Sequence, residues 1–206
     1  MAELSETTGV PIPTIKYYIR EGLLAPGRPT GRNQADYGEE HVRRLRLVRT
    51  LVEYGGLPIA VIGDLLARAH DPGREAFELL AAAQETVIPP AEPRPGPHAD
   101  RAEESLRELL SRRGWRPAPD DPAYRTAAGV LAALGEIGRE DMLEVLDAYA
   151  DAAERIAEAD VRLLGPDLSD RERVVEIVVV GTAVGDTLVA ALRRLAQAAV
   201  TERTYT

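Results

Sequence analysis

The stretch "IPPAEPRPGP", residues 88 to 97, holds five prolines in ten residues of a 206-residue chain. Proline has no backbone N–H, and its ring clashes with the carbonyl four residues back, so no helix continues through such a run. The segment is therefore a linker or a fixed extended crossing. The length allows one large domain or two small ones, and the proline run sets the expected boundaries: an N-terminal domain over 1–70, a connecting helix and Pro-rich linker over 71–98, and a C-terminal domain over 99–206.

The 45% hydrophobic and 29% charged content is that of a soluble globular protein. There is no cysteine, which removes disulfides, thiolate metal sites and thiol redox sensing together. The N-terminus lacks the regions of a signal peptide, and the strongest apolar run, Ile177 to Val180, is far too short to span a bilayer. A cytoplasmic protein without membrane contact is expected. The net charge of −9 is unevenly divided. Residues 1–70 hold 9 Lys+Arg against 8 Asp+Glu, and the remainder 16 against 26, so the acidity belongs to the C-terminal part.

"AELSETT" reads as a short helix stopped at Gly9, a residue suited to a left-handed helix end. Pro13 suits the first turn of a second helix running through Tyr17 and Tyr18, since its missing N–H would be unpaired there anyway. "PGRPTGRNQADYG", residues 26–38, has turn composition and reads as a two-stranded hairpin. "EEHVRRLRLVRTLVEYGG" follows as a third helix, opened by acids and closed by Gly55 and Gly56, with Leu45, Val48, Leu51 and Val52 on one side. "LPIAVIGDLLARA" is a fourth, and 74–88 a fifth.

Beyond the prolines the pattern is entirely helical: about 99–113, 122–137, 140–164 and 170–202. Asp121-Pro122 gives an N-cap and a first-turn proline. Ser169 with Glu172 fits a capping box. "VVEIVVVGTAVGDTLVAAL" is rich in β-branched residues, but its length and its Ala/Leu/Arg continuation favour a buried helix. Gly181 and Gly185 form a G-x-x-x-G that admits a close helix neighbour, within the core or at an interface. The fold class is mainly α: a winged helix-turn-helix followed by an all-helical domain.

Two short helices around a glycine with a hairpin directly after them make a winged helix-turn-helix candidate. "ELSETTGVPIPTIKYYIREGLL", the "GR…ADYGEEHVRRLRLVRTL" after it, and "GGLPIAVIGDLL" resemble, in that order, the DNA-binding domain of MerR-type transcription regulators. The likeness covers about residues 2–68. Three features depart from the family's pattern: the N-terminal strand is reduced to Met1-Ala2, Ile12-Pro13 replaces a hydroxyl residue at the recognition-helix start, and prolines 89–97 interrupt the expected long dimerising helix.

DNA requires cations that replace condensed counterions, and polar groups on an element narrow enough for the major groove. Thr14, Lys16, Tyr17 and Arg20 lie on the candidate recognition helix, and Arg28, Arg32, Asn33 and Tyr37 on the wing. Tyr17 and Tyr18 point about 100° apart, so one buries its ring while the other faces out; the resemblance assigns the DNA contact to Tyr17 and packing to Tyr18. Arg43, Arg46 and Arg49 share a face, for phosphate contact or for surface salt bridges. Arg43 joins the DNA-binding set. Arg44 is expected to pack its stem beside the apolar side. Trp115, Tyr124 and Tyr149 are candidate pocket walls or packing residues. His41, His70 and His98 share no metal-ligand spacing, so neither metal nor cofactor is expected. Asp141, Glu144, Asp147, Asp151 and Glu154 make an acidic stripe that reads as a solvated face.

The resemblance implies a regulator that binds a near-palindromic promoter operator in double-stranded DNA as a homodimer, acts with RNA polymerase, and senses a signal in its C-terminal region; without cysteine, any effector of the C-terminal helices would be a small organic ligand. The alternative is a protein–protein interaction module in which the winged helix and the acidic helices dock a partner and DNA binding is weak or absent. No Gly-rich phosphate loop, serine elbow, HExxH or acid–base pair is present, so no enzyme is expected.

Overall fold

The computed structural model describes residues 1–31, 34–69, 95–118 and 121–206. The expected fifth helix, 74–88, lies outside the described residues, as does most of the proline run. The order is α1 (Ala2–Thr8), α2 (Ile12–Arg20), β1 (Arg28–Gly31), β2 (Gln34–Asp36), α3 (Glu39–Glu53), α4 (Ile59–Ala69), α5 (Pro97–Arg113), α6 (Pro122–Glu136), a short 3-10 helix (Glu140–Val145), α7 (Leu146–Leu164) and α8 (Arg171–Tyr205). The fold is mainly helical, as expected, with one antiparallel hairpin whose register pairs Arg28 with Asp36 and Pro29 with Ala35. Among the described residues no helix is long and apolar enough to cross a membrane.

The chain forms two compact units, residues 1–83 with 168–206, and residues 84–167. This differs from the single C-terminal domain expected over 99–206, because α8 packs on α3 and α4.

In the first unit the α1–α2 turn is fixed by its own hydrogen bonds. Gly9 has φ 69°, and its N–H donates to the Ser5 carbonyl at 2.8 Å. The buried Thr8 hydroxyl donates to the Leu4 carbonyl at 2.7 Å and accepts the Val10 N–H at 3.3 Å. With these backbone groups satisfied, the turn holds one geometry. Leu4, Ile15, Leu23, Leu45, Val48, Leu51 and Ile62 are almost fully buried.

Three features seat α8. Arg43 of α3 pairs with Glu176. Gly55 approaches Ala183 so closely that an added Cβ would lie 3.0 Å from the Ala183 Cβ and 2.6 Å from the Leu51 carbonyl oxygen. The Thr187 hydroxyl donates to the Tyr54 carbonyl at 2.7 Å. The β-branched stretch of α8 is helix, as expected, with Val174, Val178, Val179 and Ala183 buried. Its N-cap is Asp170, whose carboxylate accepts the Arg173 N–H at 3.0 Å, in place of the expected Ser169. A carboxylate also complements the positive helix end.

The second unit packs α5 on α6 around Ala99, Ala102, Leu106, Leu109, Ala128, Leu131 and Ala132, joined by Ala150 of α7. Asp121 caps α6, accepting the Ala123 N–H at 2.8 Å, as its sequence position predicts. The helix expected over 140–164 is split: residues 140–145 are 3-10 and α7 begins at Leu146. Arg139 grips Asp141 through Nε and Nη2 at 2.8 and 2.9 Å, and this local pair follows Gly138 at φ 72°.

The acidic stripe is exposed, as expected, and three of its carboxylates also hold arginines of α5. The Arg113 side chain, 14% exposed, donates to the Asp151 carboxylate at 2.7 Å and to the Asp147 carbonyl at 3.0 Å, and reaches Glu154 at 3.4 Å. Arg112 holds Asp147 through both carboxylate oxygens, at 3.1 and 3.0 Å. The hydrogen bond from Arg112 is the main reason the Asp147 carboxyl titrates below its usual 3.8, with the Arg112 and Arg113 charges adding to it. A depressed folded-state pKa contributes stability that is complete above the unfolded value and is lost as pH falls through the folded one.

Gly55→Ala is expected to cost about 1–3 kcal/mol by overpacking the α8 seat, read in a urea titration. Asp147→Asn is expected to lower stability at neutral pH and to flatten the acid limb of a stability–pH curve below pH 3.8, the part of that limb Asp147 supplies. An unchanged acid limb would refute that role.

Candidate nucleic-acid interface

Helix α2 divides its residues sharply. Ile15 and Tyr18 are buried, which anchors the helix, while Lys16, Tyr17 and Arg20 are exposed and Thr14 is half-buried. Burial raises the Tyr18 phenol pKa, with the Glu53 and Tyr17 charges adding to it, so Tyr18 stays neutral as a packing residue. The Tyr17 ring lies 6.0 Å from that of Tyr18 at a 49° tilt, and the Arg20 guanidinium stands 5.1 Å from the Tyr17 centroid. The packed ring and the cation over it restrict Tyr17, which stays 37% exposed. Arg20 also pairs with Glu21 at 3.2 Å. One narrow helix thus presents a phenol and two cations on an outward face, with the half-buried Thr14 at its edge, the chemistry that meets phosphates and base edges.

On the wing Arg28 is exposed at the start of β1, whereas Arg32 and Asn33 lie outside the described residues. Tyr37 is half-buried, edge-to-face with His41 at 5.2 Å. The His41 Nδ1 accepts the Gly38 N–H at 3.2 Å, closing the first turn of α3. Tyr37 therefore ties the wing to α3.

Arg43 stands apart from the other candidates, because its guanidinium is held by Glu176 of α8. Its face-mates also point inward to structure: Arg49 donates to the Thr8 carbonyl at 2.9 Å and Arg46 to the Thr7 carbonyl at 3.5 Å. Cations at the C-terminal carbonyls of α1 satisfy acceptors that the helix leaves open. Spacing alone left these arginines undecided, and the acceptors lie about forty residues away in sequence for two of them. Arg44 is half-buried, consistent with a packed stem.

The candidate pocket residues lie in the second unit. Trp115 and Tyr124 pack against its core, and Tyr149 is 45% exposed. Trp115 Nε1 donates to Glu154 at 3.4 Å and its ring lies 5.8 Å from the Arg113 guanidinium. These contacts make Trp115 a packing residue of the arginine clamp.

Residues 1–69 match the family of MerR HTH family regulatory proteins. Heavy metal-dependent transcription regulator 2 of Rhizobium meliloti (strain 1021) is 33% identical over 87 residues, 42% of this chain. The HTH-type transcriptional regulator HmrR of Sinorhizobium medicae (strain WSM419) is 31% identical over a stretch of the same length. The chain spans 58% of the length of these two relatives. The crystal structure of the transcriptional regulator SCO5550 from Streptomyces coelicolor A3(2) is similar over nearly the whole chain, with 32% identity, a TM-score of 0.71, and 99% of this chain and 96% of that one covered.

Lys16→Ala and Arg20→Ala should leave the unfolding free energy within about 0.5 kcal/mol of wild type, because neither side chain is buried. Ile15→Ala should cost about 2–5 kcal/mol. A large loss of stability from Lys16→Ala in a denaturant titration would instead make Lys16 structural.

Proposed function

Because this chain belongs to the MerR family of helix-turn-helix transcription regulators, we propose that it binds a near-palindromic operator in double-stranded DNA, sequence-specifically and as a homodimer. The observation that carries this reading is the division of α2, with Ile15 and Tyr18 locked inside, Lys16, Tyr17 and Arg20 exposed and Thr14 half-buried. Lys16 and Arg28 replace counterions at phosphates, while Thr14 and Tyr17 meet phosphate oxygens or base edges. Arg32 and Asn33 extend the wing's contact with the backbone. Tyr37 holds the wing in place, and Arg43 acts through its pairing with Glu176 more than through DNA. In a cytoplasmic regulator of this type, RNA polymerase is the partner whose promoter access the dimer changes.

The effector is a small organic molecule bound in the helical unit that carries Trp115, Tyr124 and Tyr149. With no cysteine in the sequence, thiolate capture of a metal is chemically closed to this chain. The heavy-metal dependence in the name of the Rhizobium meliloti relative therefore does not carry over to its signal.

Selection of genomic fragments by the full-length protein, followed by anisotropy titrations at several salt concentrations, tests the proposal. An enriched inverted repeat is expected, with affinity falling steeply and log-linearly with salt, and Lys16→Ala reducing the slope by about one phosphate equivalent. Tyr17→Ala should weaken binding without lowering the melting temperature. Absence of enrichment and of a salt slope in the folded protein would favour docking of a protein partner on the winged helix.

A further inference from the structure

A cavity of about 490 Å³ lies in the N-terminal unit where the chain leaving α2 meets α3 and α8. Leu23 and Leu24, just past α2, and Leu47 of α3 give it apolar walls, while Arg44 and the Arg43–Glu176 pair give it charge. Pockets that hold a small organic molecule have this volume. A second hollow of about 500 Å³ shares Arg44 with the first and is lined also by Tyr17 of α2 and by Ile59 and Asp64 of α4. Arg44 therefore borders both.

Arg44 is the unsettled charge of this region. It is half-buried, and among the described residues its guanidinium makes no hydrogen bond and no ion pair. Its neighbours on α3 are all committed: Arg43 to Glu176, Arg46 to the Thr7 carbonyl and Arg49 to the Thr8 carbonyl. A guanidinium drawn partly out of water without an acceptor carries a desolvation cost that an entering anion recovers. His41, in the same wall, commits its Nδ1 to the Gly38 N–H, which leaves the proton on a buried Nε2 that meets no acceptor among the described residues. The carboxylates nearby do not supply what is missing, because Glu176 is held by Arg43 and Glu40 is exposed, where water and salt screen it. The occupant that fits is an anion with an apolar body. A planar carboxylate matches the guanidinium fork.

We propose that this cavity binds a small organic acid, whose carboxylate pairs with Arg44 and whose apolar body lies against Leu23, Leu24 and Leu47. The site is separate from the effector site in the helical unit and gives the protein a second input. Its position gives binding a direct consequence. The N–H groups of Leu23 and Leu24 both donate to the Tyr18 carbonyl near the end of α2, at 2.9 and 3.3 Å, and Glu176 is one of the contacts that seat α8. An acid held between them bears on the exit of α2 and on the root of α8 together.

Benzoate and hexanoate are the probes, with benzyl alcohol as the uncharged control, each titrated calorimetrically into the full-length protein. Both acids are expected to bind with dissociation constants of about 1 mM or below, and benzyl alcohol is not. Arg44→Met keeps the packed stem and removes the guanidinium, so it should weaken benzoate by about tenfold or more without lowering the melting temperature of the free protein. Ala25 is an exposed residue of the cavity wall, and Ala25→Phe should block both acids by filling the space. The sole tryptophan, Trp115, belongs to the other unit, so its fluorescence should not respond to either acid. Binding that survives both variants and changes Trp115 fluorescence would place the acid in the helical unit, which overturns this site and leaves the effector reading standing. Benzyl alcohol binding as well as benzoate overturns the role of Arg44. No binding of either acid overturns the site, and a lower salt slope of operator binding in Arg44→Met would then assign Arg44 to a DNA phosphate.

Discussion

The approach of Gly55 to Ala183 is the contact on which the N-terminal unit depends. It joins the turn between α3 and α4 to a helix that begins more than a hundred residues later. Only a missing side chain admits that spacing, because the Leu51 carbonyl already closes the other side of Gly55. The Arg43–Glu176 pair and the Thr187–Tyr54 hydrogen bond secure the two flanks of the same contact. Both are exposed polar interactions, which contribute modestly, so the buried valines and the glycine do most of the seating. The result makes α8 part of the N-terminal unit, with Leu188, Leu192 and Leu195 of its distal half left exposed.

Arginine divides its labour across the molecule according to what surrounds it. On α2, Arg20 stands outside and covers an aromatic ring, and Lys16 is exposed beside it. On α3, Arg46 and Arg49 are spent on the last carbonyls of α1, which stiffens the turn that aims α2. In the second unit, Arg112 and Arg113 gather three carboxylates of α7. The buried core of that unit is five alanines and three leucines, and the arginine network gives α7 a directional hold that alanine contacts lack. The acidic stripe faces solvent, as charge patterning describes, while Asp147, Asp151 and Glu154 within it also pair with the mostly buried Arg113.

Much of the winged unit was legible in the sequence because its signals are local. Gly9, Pro13, the turn composition of 26–38 and the apolar spacing of Leu45, Val48 and Leu51 each act within a few residues, and each element appears where they put it. The split of Tyr17 from Tyr18 followed from the 100° step of a helix. Arg43 shows the opposite case. Its spacing placed it with Arg46 and Arg49, but the carboxylate that holds it lies 133 residues away. The 3-10 turn before α7 was also hidden, because the local Arg139–Asp141 pair beside it leaves the apolar period unchanged.

The sequence by itself determined the helices, their caps at Gly9 and Asp121, the hairpin and the outward face of α2, because hydrogen bonding and side-chain period act over one or two turns. Tertiary structure alone decided that the last helix joins the first unit, that Arg43 pairs with Glu176, and that three carboxylates of the acidic stripe gather on Arg113. Each of these needs two segments distant in the chain to meet, and the free energy of that meeting lies in packing volume and charge pairing that neither segment displays alone.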